Sequence, residues 1–149
     1  MKIFYITNIH PRSHNRGGSR ETYKQTLQKD FNSKFGHLYD NLPITNQELQ
    51  THVVYIHQLR HGCIPDVDNL SKPIVDAFVG VIYKDDSLII RRTADILKLD
   101  DFDFMSVDAT NMPIEIYQTF EKFYLENEQN ILFFEVGSFD KSKIRIGEV

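Results

Sequence analysis

Cys63 is the single cysteine among 149 residues, so an internal disulfide is excluded and nothing in the chain asks for an oxidising compartment. One cysteine also argues against structural zinc. The histidine pairs His10/His14 and His57/His61 have four-residue spacing, but they fall in an expected loop and strand rather than on one helix face. No base or oxyanion motif supports Cys63 as a nucleophile, and it reads as a small buried residue. Tryptophan is absent; aromatic character comes from seven tyrosines and eleven phenylalanines. No apolar run approaches membrane-spanning length, and the run Met1–Thr7 is too short for a signal peptide. The expectation is a cytoplasmic protein that makes no use of a membrane. There is no internal repeat, low-complexity tract or linker, so residues 1–149 read as one domain with one core.

A surplus of positive charge is lacking too. The net charge is −4, unlike the basic surface usual for a nucleic-acid binder. The distribution is uneven, however. Residues 1–62 carry eight Lys or Arg against four acids, and residues 63–149 carry nine against seventeen. Any contact with a phosphate backbone is therefore expected mainly from the N-terminal half.

The pattern of apolar residues predicts four strands and three helices in an α+β order without a regular βαβ rhythm. Lys2–Thr7 is a first strand, and Asn8–Gly18 a polar loop. A helix capped by Ser19 or Thr22 runs to about Phe35, with Tyr23, Leu27 and Phe31 on one stripe. Gly36–Gln50 reads as loop and Thr51–Leu59 as strand. Asn69–Phe78 reads as a helix with Ile74, Val75 and Phe78 buried; Ser71 is a candidate cap, and Pro73 is expected in or near the first turn, where proline is tolerated. Gly80 ends that helix. Leu88–Leu99, with Arg91, Arg92, Asp95 and Lys98, suits an edge strand. Pro113–Leu125 reads as a helix with Ile116, Tyr117, Phe120 and Tyr124 apolar, and Ile131–Val136 as a final strand.

What is abundant is acid around one short helix. The run from Pro65 to Ser87 places Asp66 and Asp68 before the helix, Lys72 and Asp76 on it, and Asp85 and Asp86 after it. Separately, Asp-x-Asp in a loop is ordinarily a turn or cap, and Asp-Asp before a strand ordinarily a turn. Together they can fold into one pocket. Hydrolysis of a phosphodiester needs an activated water and somewhere for developing charge to go; hard divalent cations held by carboxylates meet both needs. Asp66 and Asp68 straddle Val67, so alternate side chains can point the same way. Asp76 lies one turn beyond Lys72 and can pair with it.

Asp66-Val67-Asp68-Asn69-Leu70-Ser71-Lys72-Pro73, then Asp76, then Gly80-Val81-Ile82-Tyr83-Lys84-Asp85-Asp86 resembles the active-site region of RusA-type Holliday junction resolvases. The resemblance implies a small mixed sheet packed by helices, and an Mg²⁺-dependent endodeoxyribonuclease, with Mn²⁺ as a substitute. Such an enzyme acts as a homodimer and resolves Holliday junctions or other branched DNA by paired nicks. Carried over by position, Asp66, Asp68 and Asp86 would be metal ligands and Lys72 the catalytic lysine. Asn69, Asp76 and Asp85 would be supporting residues. The family's N-terminal loop approaches DNA, and here Arg12, Arg16, Arg20 and Lys24 are in place to do so. The expected geometry is convergence of Asp66, Asp68 and Asp86, with at least one carboxylate pKa raised by like-charge repulsion. Two other functions fit the same residues: a metal-dependent nuclease acting on other DNA structures, and a catalytically inactive DNA- or protein-binding module, which would have no need of the acidic pocket.

The resemblance is densest over Thr51–Ile90 and poor after Leu99. Residues 99–130 carry eight acids and, opposing them, only Lys122, so this stretch reads as an acidic helical insertion near the C-terminus. It is expected to pack as an extra helix with a solvated acidic face; a dimer contact, a basic protein partner or DNA mimicry are its other readings.

Overall fold

Residues 2–11, 20–58, 64–101 and 106–148 are described in a computed structural model. Lys2–Thr7 forms β1, Leu49–His57 β2, Ile89–Lys98 β3 and Asn130–Ser138 β4; the helices are α1 (Arg20–Lys34), α2 (Val67–Ala77) and α3 (Ile114–Leu125). The expected α+β class and the sheet packed by helices are both present. The four strands make one mixed sheet in the order β1-β4-β2-β3. β4 runs antiparallel to both its neighbours, while β2 and β3 are parallel. A parallel neighbour needs a crossover, and α2 provides it, so β2-α2-β3 is a βαβ unit that the sequence pattern did not suggest.

Both faces of the sheet are covered at β1 and β4, which explains the uninterrupted burial of Ile3–Thr7 even though β1 is an edge strand. On one face, Tyr5 meets Phe31 of α1 at 5.8 Å and Phe78, at the end of α2, at 5.3 Å between ring centres. Phe78 stacks on Phe134 of β4 at 5.4 Å. The stripe Tyr23, Leu27 and Phe31 is buried as its spacing requires. On the other face, Phe120 of α3 meets Phe133 at 5.4 Å. The buried face of α3 consists of Ile116 and Phe123, with Phe120 half-buried between them, whereas Tyr124 is 51 % exposed. Tyr124, one of the apolar residues read in this helix, is turned outward because the i, i+4, i+7 face of Ile116, Phe120 and Phe123 is the one that meets the sheet. Among the described residues no helix is long and apolar enough to cross a membrane.

Two further expectations change at α2. Asp66, not Ser71, is the N-cap, accepting the Asn69 backbone N–H at 2.8 Å; Ser71 is buried inside the helix. Because the cap lies that far upstream, Pro73 falls in the second turn, where it deprives the Asn69 carbonyl of its usual donor. Such a proline costs about 3 kcal/mol of intrinsic helix propensity, which burial of Leu70, Ile74, Val75 and Ala77 must offset. The end of the helix is as expected: Gly80 has φ +83°, a conformation glycine adopts without strain.

The sheet's two edges are treated differently. On β1, Tyr39 Oη accepts the Phe4 N–H at 2.9 Å and donates to the Phe4 carbonyl at 3.0 Å, closing that edge with a side chain. β3 is the opposite edge, as its charged sequence suggests.

Candidate active site

The exposed side of α2 is an acidic stripe with one cation in it. The helix starts at Asp66 because a carboxylate there accepts orphan N–H groups of the first turn. Asn69 reinforces the cap, its side-chain Nδ2 reaching the second Asp66 oxygen at 3.2 Å. Local capping, the ordinary reading of an Asp before a helix, is thus what Asp66 does in the fold, and Asn69 is its partner. Asp68 projects from the first turn and is exposed. One turn on, Lys72 Nζ donates to both Asp76 carboxylate oxygens at 3.1 and 3.2 Å. Spacing of four residues places Asp68, Lys72 and Asp76 along one face of the helix, opposite the buried Leu70 and Ile74.

The second acidic pair is brought to this face by a turn anchored in the core. Tyr83 is fully buried, and its hydroxyl donates to the Val75 carbonyl of α2 at 2.5 Å. Its backbone is held as well: Gly80 N–H donates to the Tyr83 carbonyl at 2.7 Å, and Ile44 bonds on either side, to the Ile82 carbonyl and from the Lys84 N–H, both at 2.8 Å. Asp85 then caps the single 3₁₀ turn Asp86–Leu88 by accepting the Ser87 N–H at 3.2 Å. Tyr83 stands inside the quoted Gly-Val-Ile-Tyr-Lys-Asp-Asp run but carried no expectation of its own. Aromatic residues before a strand are usually only core, so nothing in the sequence marked its hydroxyl.

The electrostatics fit this placement. Hydrogen bonding with Asp85 holds the exposed Asp86 carboxyl above the usual carboxylate range; slight desolvation and the charges of Asp85 and Asp76 add to the effect, and Lys72 opposes it. Asp85 is held below its ordinary range by the Ser87 backbone N–H and then by Asp86. One carboxylate is therefore raised, as expected, though hydrogen bonding to a neighbour leads and like-charge repulsion follows. Buried Tyr83 is pushed well up by desolvation and then by the charges of Asp76 and Asp86, so it stays a neutral hydrogen-bond donor.

Asp86 thus lies within electrostatic reach of Lys72 and Asp76. It does not join Asp66 and Asp68 in a closed cage: among the described residues, no three His, Cys, Asp or Glu side chains stand close enough to share one metal ion. The reason is geometric. Eleven helical residues rise roughly 16 Å, which separates the Asp66–Asp68 end of α2 from the end where the chain turns back towards Asp86. Lys72 lies between the two acidic groups. The donor chemistry suits a hard divalent cation, since every candidate ligand is a carboxylate, but the three oxygen donors are not gathered.

Of the residues expected at a DNA contact, Arg20 and Lys24 lie one turn apart at the start of α1, while Arg12 and Arg16 lie outside the described residues, as do His14, His61 and Cys63. His10 Nδ1 is 3.1 Å from the Asn130 side-chain oxygen, a structural contact.

No curated protein matches this chain. Residues 8–116 match the family profile of endodeoxyribonuclease RusA, a span that includes α1, β2, the whole acidic stripe and β3 and stops inside α3. The match therefore enters the first part of the acidic 99–130 stretch. It covers well over half of the chain, and with the Asp66–Asp86 motif in place on one helix and its following turn, the chain belongs to the RusA family of endodeoxyribonucleases, enzymes of Holliday junctions and branched DNA.

Proposed function

We propose that this protein is a Mg²⁺-dependent endonuclease, able also to use Mn²⁺, that acts as a homodimer and resolves four-way DNA junctions by paired hydrolytic nicks. The observation that carries the reading is the single helix face bearing Asp68, Lys72 and Asp76, with Asp86 within electrostatic reach of the last two. Asp66, Asp68 and Asp86 would hold the cation. When bound, the metal supplies an activated water and neutralises charge developing on the phosphate. The protein's own part is positional. Lys72, already oriented by Asp76, offers an ammonium to a non-bridging phosphate oxygen, where fixed positive charge is most useful as negative charge grows. Asp85 and Ser87 fix the turn from which Asp86 projects. Asn69 keeps both oxygens of Asp66 in a defined orientation. A dimer with two-fold symmetry matches a junction of two-fold symmetry, presenting one site to each of two strands.

One observation favours a second reading, a DNA-binding member of the family without catalysis: the three proposed ligands are not gathered into one cluster. Cleavage assays on junction, fork and linear duplex, each with Mg²⁺ and with EDTA, separate the two. EDTA-sensitive nicking of junction DNA is the expected result, and Asp68→Asn should abolish it while leaving the fold and DNA binding intact, because it removes ligand charge without changing size. Undiminished Mg²⁺-dependent cleavage by Asp68→Asn would remove that residue from the mechanism. Absence of cleavage on every substrate, with binding retained, would establish the binding module.

A further inference from the structure

We infer that Arg92 and Lys98 of β3 are phosphate contacts that hold the DNA backbone along α2, one towards each end of the acidic stripe. The inference deepens the proposed function and rests on that reading for its substrate. It starts from a problem of charge. α2, its cap and the turn after it carry Asp66, Asp68, Asp76, Asp85 and Asp86 against Lys72 and Lys84, and Lys72 is already paired with Asp76. Such a face repels a polyanion, so cations beside it must hold the phosphates. On one flank α1 packs against α2, with Gln28 Nε2 donating to the Ala77 carbonyl at 2.7 Å. On the other flank lies β3, and among the described residues no strand lies beyond it. That flank is open.

Strand register decides which β3 side chains reach it. Val53 is paired with Phe134, and Phe134 stacks on Phe78 at the end of α2, so Val53 is on the α2 face of the sheet. Alternation adds Thr51, Tyr55 and His57 to that face. Their partners in β3, namely Arg92, Ala94, Ile96 and Lys98, project beside them. Burial agrees: Ala94 and Ile96 pack against the core, whereas Arg92 and Lys98, at the two ends of the row, are exposed. The charge of Lys98 acts on its register partner, buried His57. Arg91 points the other way and lines a groove with His52 and Asp95 on the far face. Among the described residues no ion pair occupies Arg92 or Lys98.

Their spacing fits the task. Six strand residues span about 20 Å, which is about six base-pair steps of duplex rise. From Asp68 to Asp76 the helix rises about 12 Å. The two cations therefore bracket the stripe. Connectivity aligns them with it: β2 ends at His57, opposite Lys98, before the chain enters α2 at Asp66, while Asp86, near Asp76, leads into β3 ahead of Arg92. A backbone lying along this flank has Lys72 between its two outer contacts. The N-terminal half was expected to supply most phosphate contacts; these two lie outside it, and only the register shows that they share the face of α2.

The experiment is a salt titration of binding to a fluorescein-labelled four-way junction, read by fluorescence anisotropy in EDTA, with circular dichroism confirming the fold of each variant. EDTA keeps the measurement independent of cleavage, so a protein that binds without cutting still reports on these residues and the two readings can fail separately. Arg92→Gln and Lys98→Gln are each expected to weaken binding and to flatten the log–log salt dependence by about 0.9, and the double variant by about 1.8. Arg92→Lys and Lys98→Arg keep the charge and should keep the slope. Arg91→Gln removes the same net charge from the opposite face and should leave the slope unchanged, which separates a contact from a general effect of charge. An unchanged slope in the double variant, a loss with Arg91→Gln as large as that with Arg92→Gln, or a wild type that binds no junction would each overturn the inference.

Discussion

Replacing Tyr83 with phenylalanine isolates one hydroxyl at the point where the acidic turn is fastened to α2. The ring is completely buried and remains so, leaving the loss of the 2.5 Å bond to the Val75 carbonyl as the perturbation. A net intramolecular hydrogen bond is worth about 0.5–1.5 kcal/mol. The Val75 carbonyl keeps a longer bond from the Phe78 N–H at 3.3 Å, so it is not orphaned. The cost should then lie near 1 kcal/mol, or about 2–4 °C in Tm for a chain of this size. The backbone ties through Gly80 and Ile44 persist, so the Asp85–Asp86 turn loosens rather than detaches. Misplacement of Asp86 worth up to about 1.4 kcal/mol slows cleavage by up to tenfold. Urea unfolding gives the first quantity. Cleavage of junction DNA at saturating substrate across a Mg²⁺ titration gives the second, with the DNA Kd unchanged as control. Unchanged stability together with unchanged Mg²⁺-dependent cleavage would refute the anchoring role. A loss well above 2 kcal/mol would refute the view that Val75 keeps a partner.

Asp66 combines a cap with a proposed ligand, and two substitutions separate them: Asp66→Asn should keep the cap and lose cleavage, while Asp66→Ala should lose both, with about 0.5–2 kcal/mol less stability by urea unfolding. If Arg12 and Arg16 grip phosphates, neutralising both should weaken binding to every DNA shape and flatten the log–log salt dependence by about one to two units; the same treatment of Lys141, Lys143 and Arg145 is the control, and an unchanged slope would move the grip elsewhere. His57 is buried, among the described residues its Nδ1 has no partner, and burial followed by Lys98 lowers its pKa. The unfolded chain therefore binds the proton more readily. Stability from the neutral ring is complete above the ordinary value of 6.5 and declines as pH falls below it towards the folded value. The urea midpoint should drop between pH 7.5 and 5.5 more in wild type than in His57→Gln; equal drops would remove His57 as the cause.

Local pattern was enough to reveal all seven regular elements, the stripe of α1, the edge character of β3 and the acidic motif, because each rests on spacing within a few residues. Periodicity shows whether a side chain shares a face with its neighbours, and a matched motif shows which acids to suspect. Neither reports distance between segments. That Asp66 is spent partly on capping, that Pro73 sits in the second turn, and that Tyr124 faces water depended on where each helix starts and which face meets the sheet. That Asp86 comes within electrostatic reach of Lys72 and Asp76 without closing a cage with Asp66 and Asp68 depended on the length of α2 and on a buried tyrosine tying the return turn to its far end. The sequence by itself determined the chemistry available, carboxylates around one lysine. Only the tertiary structure decided which of them meet, because a helix holds its two ends a fixed rise apart and a packed core chooses where the chain comes back.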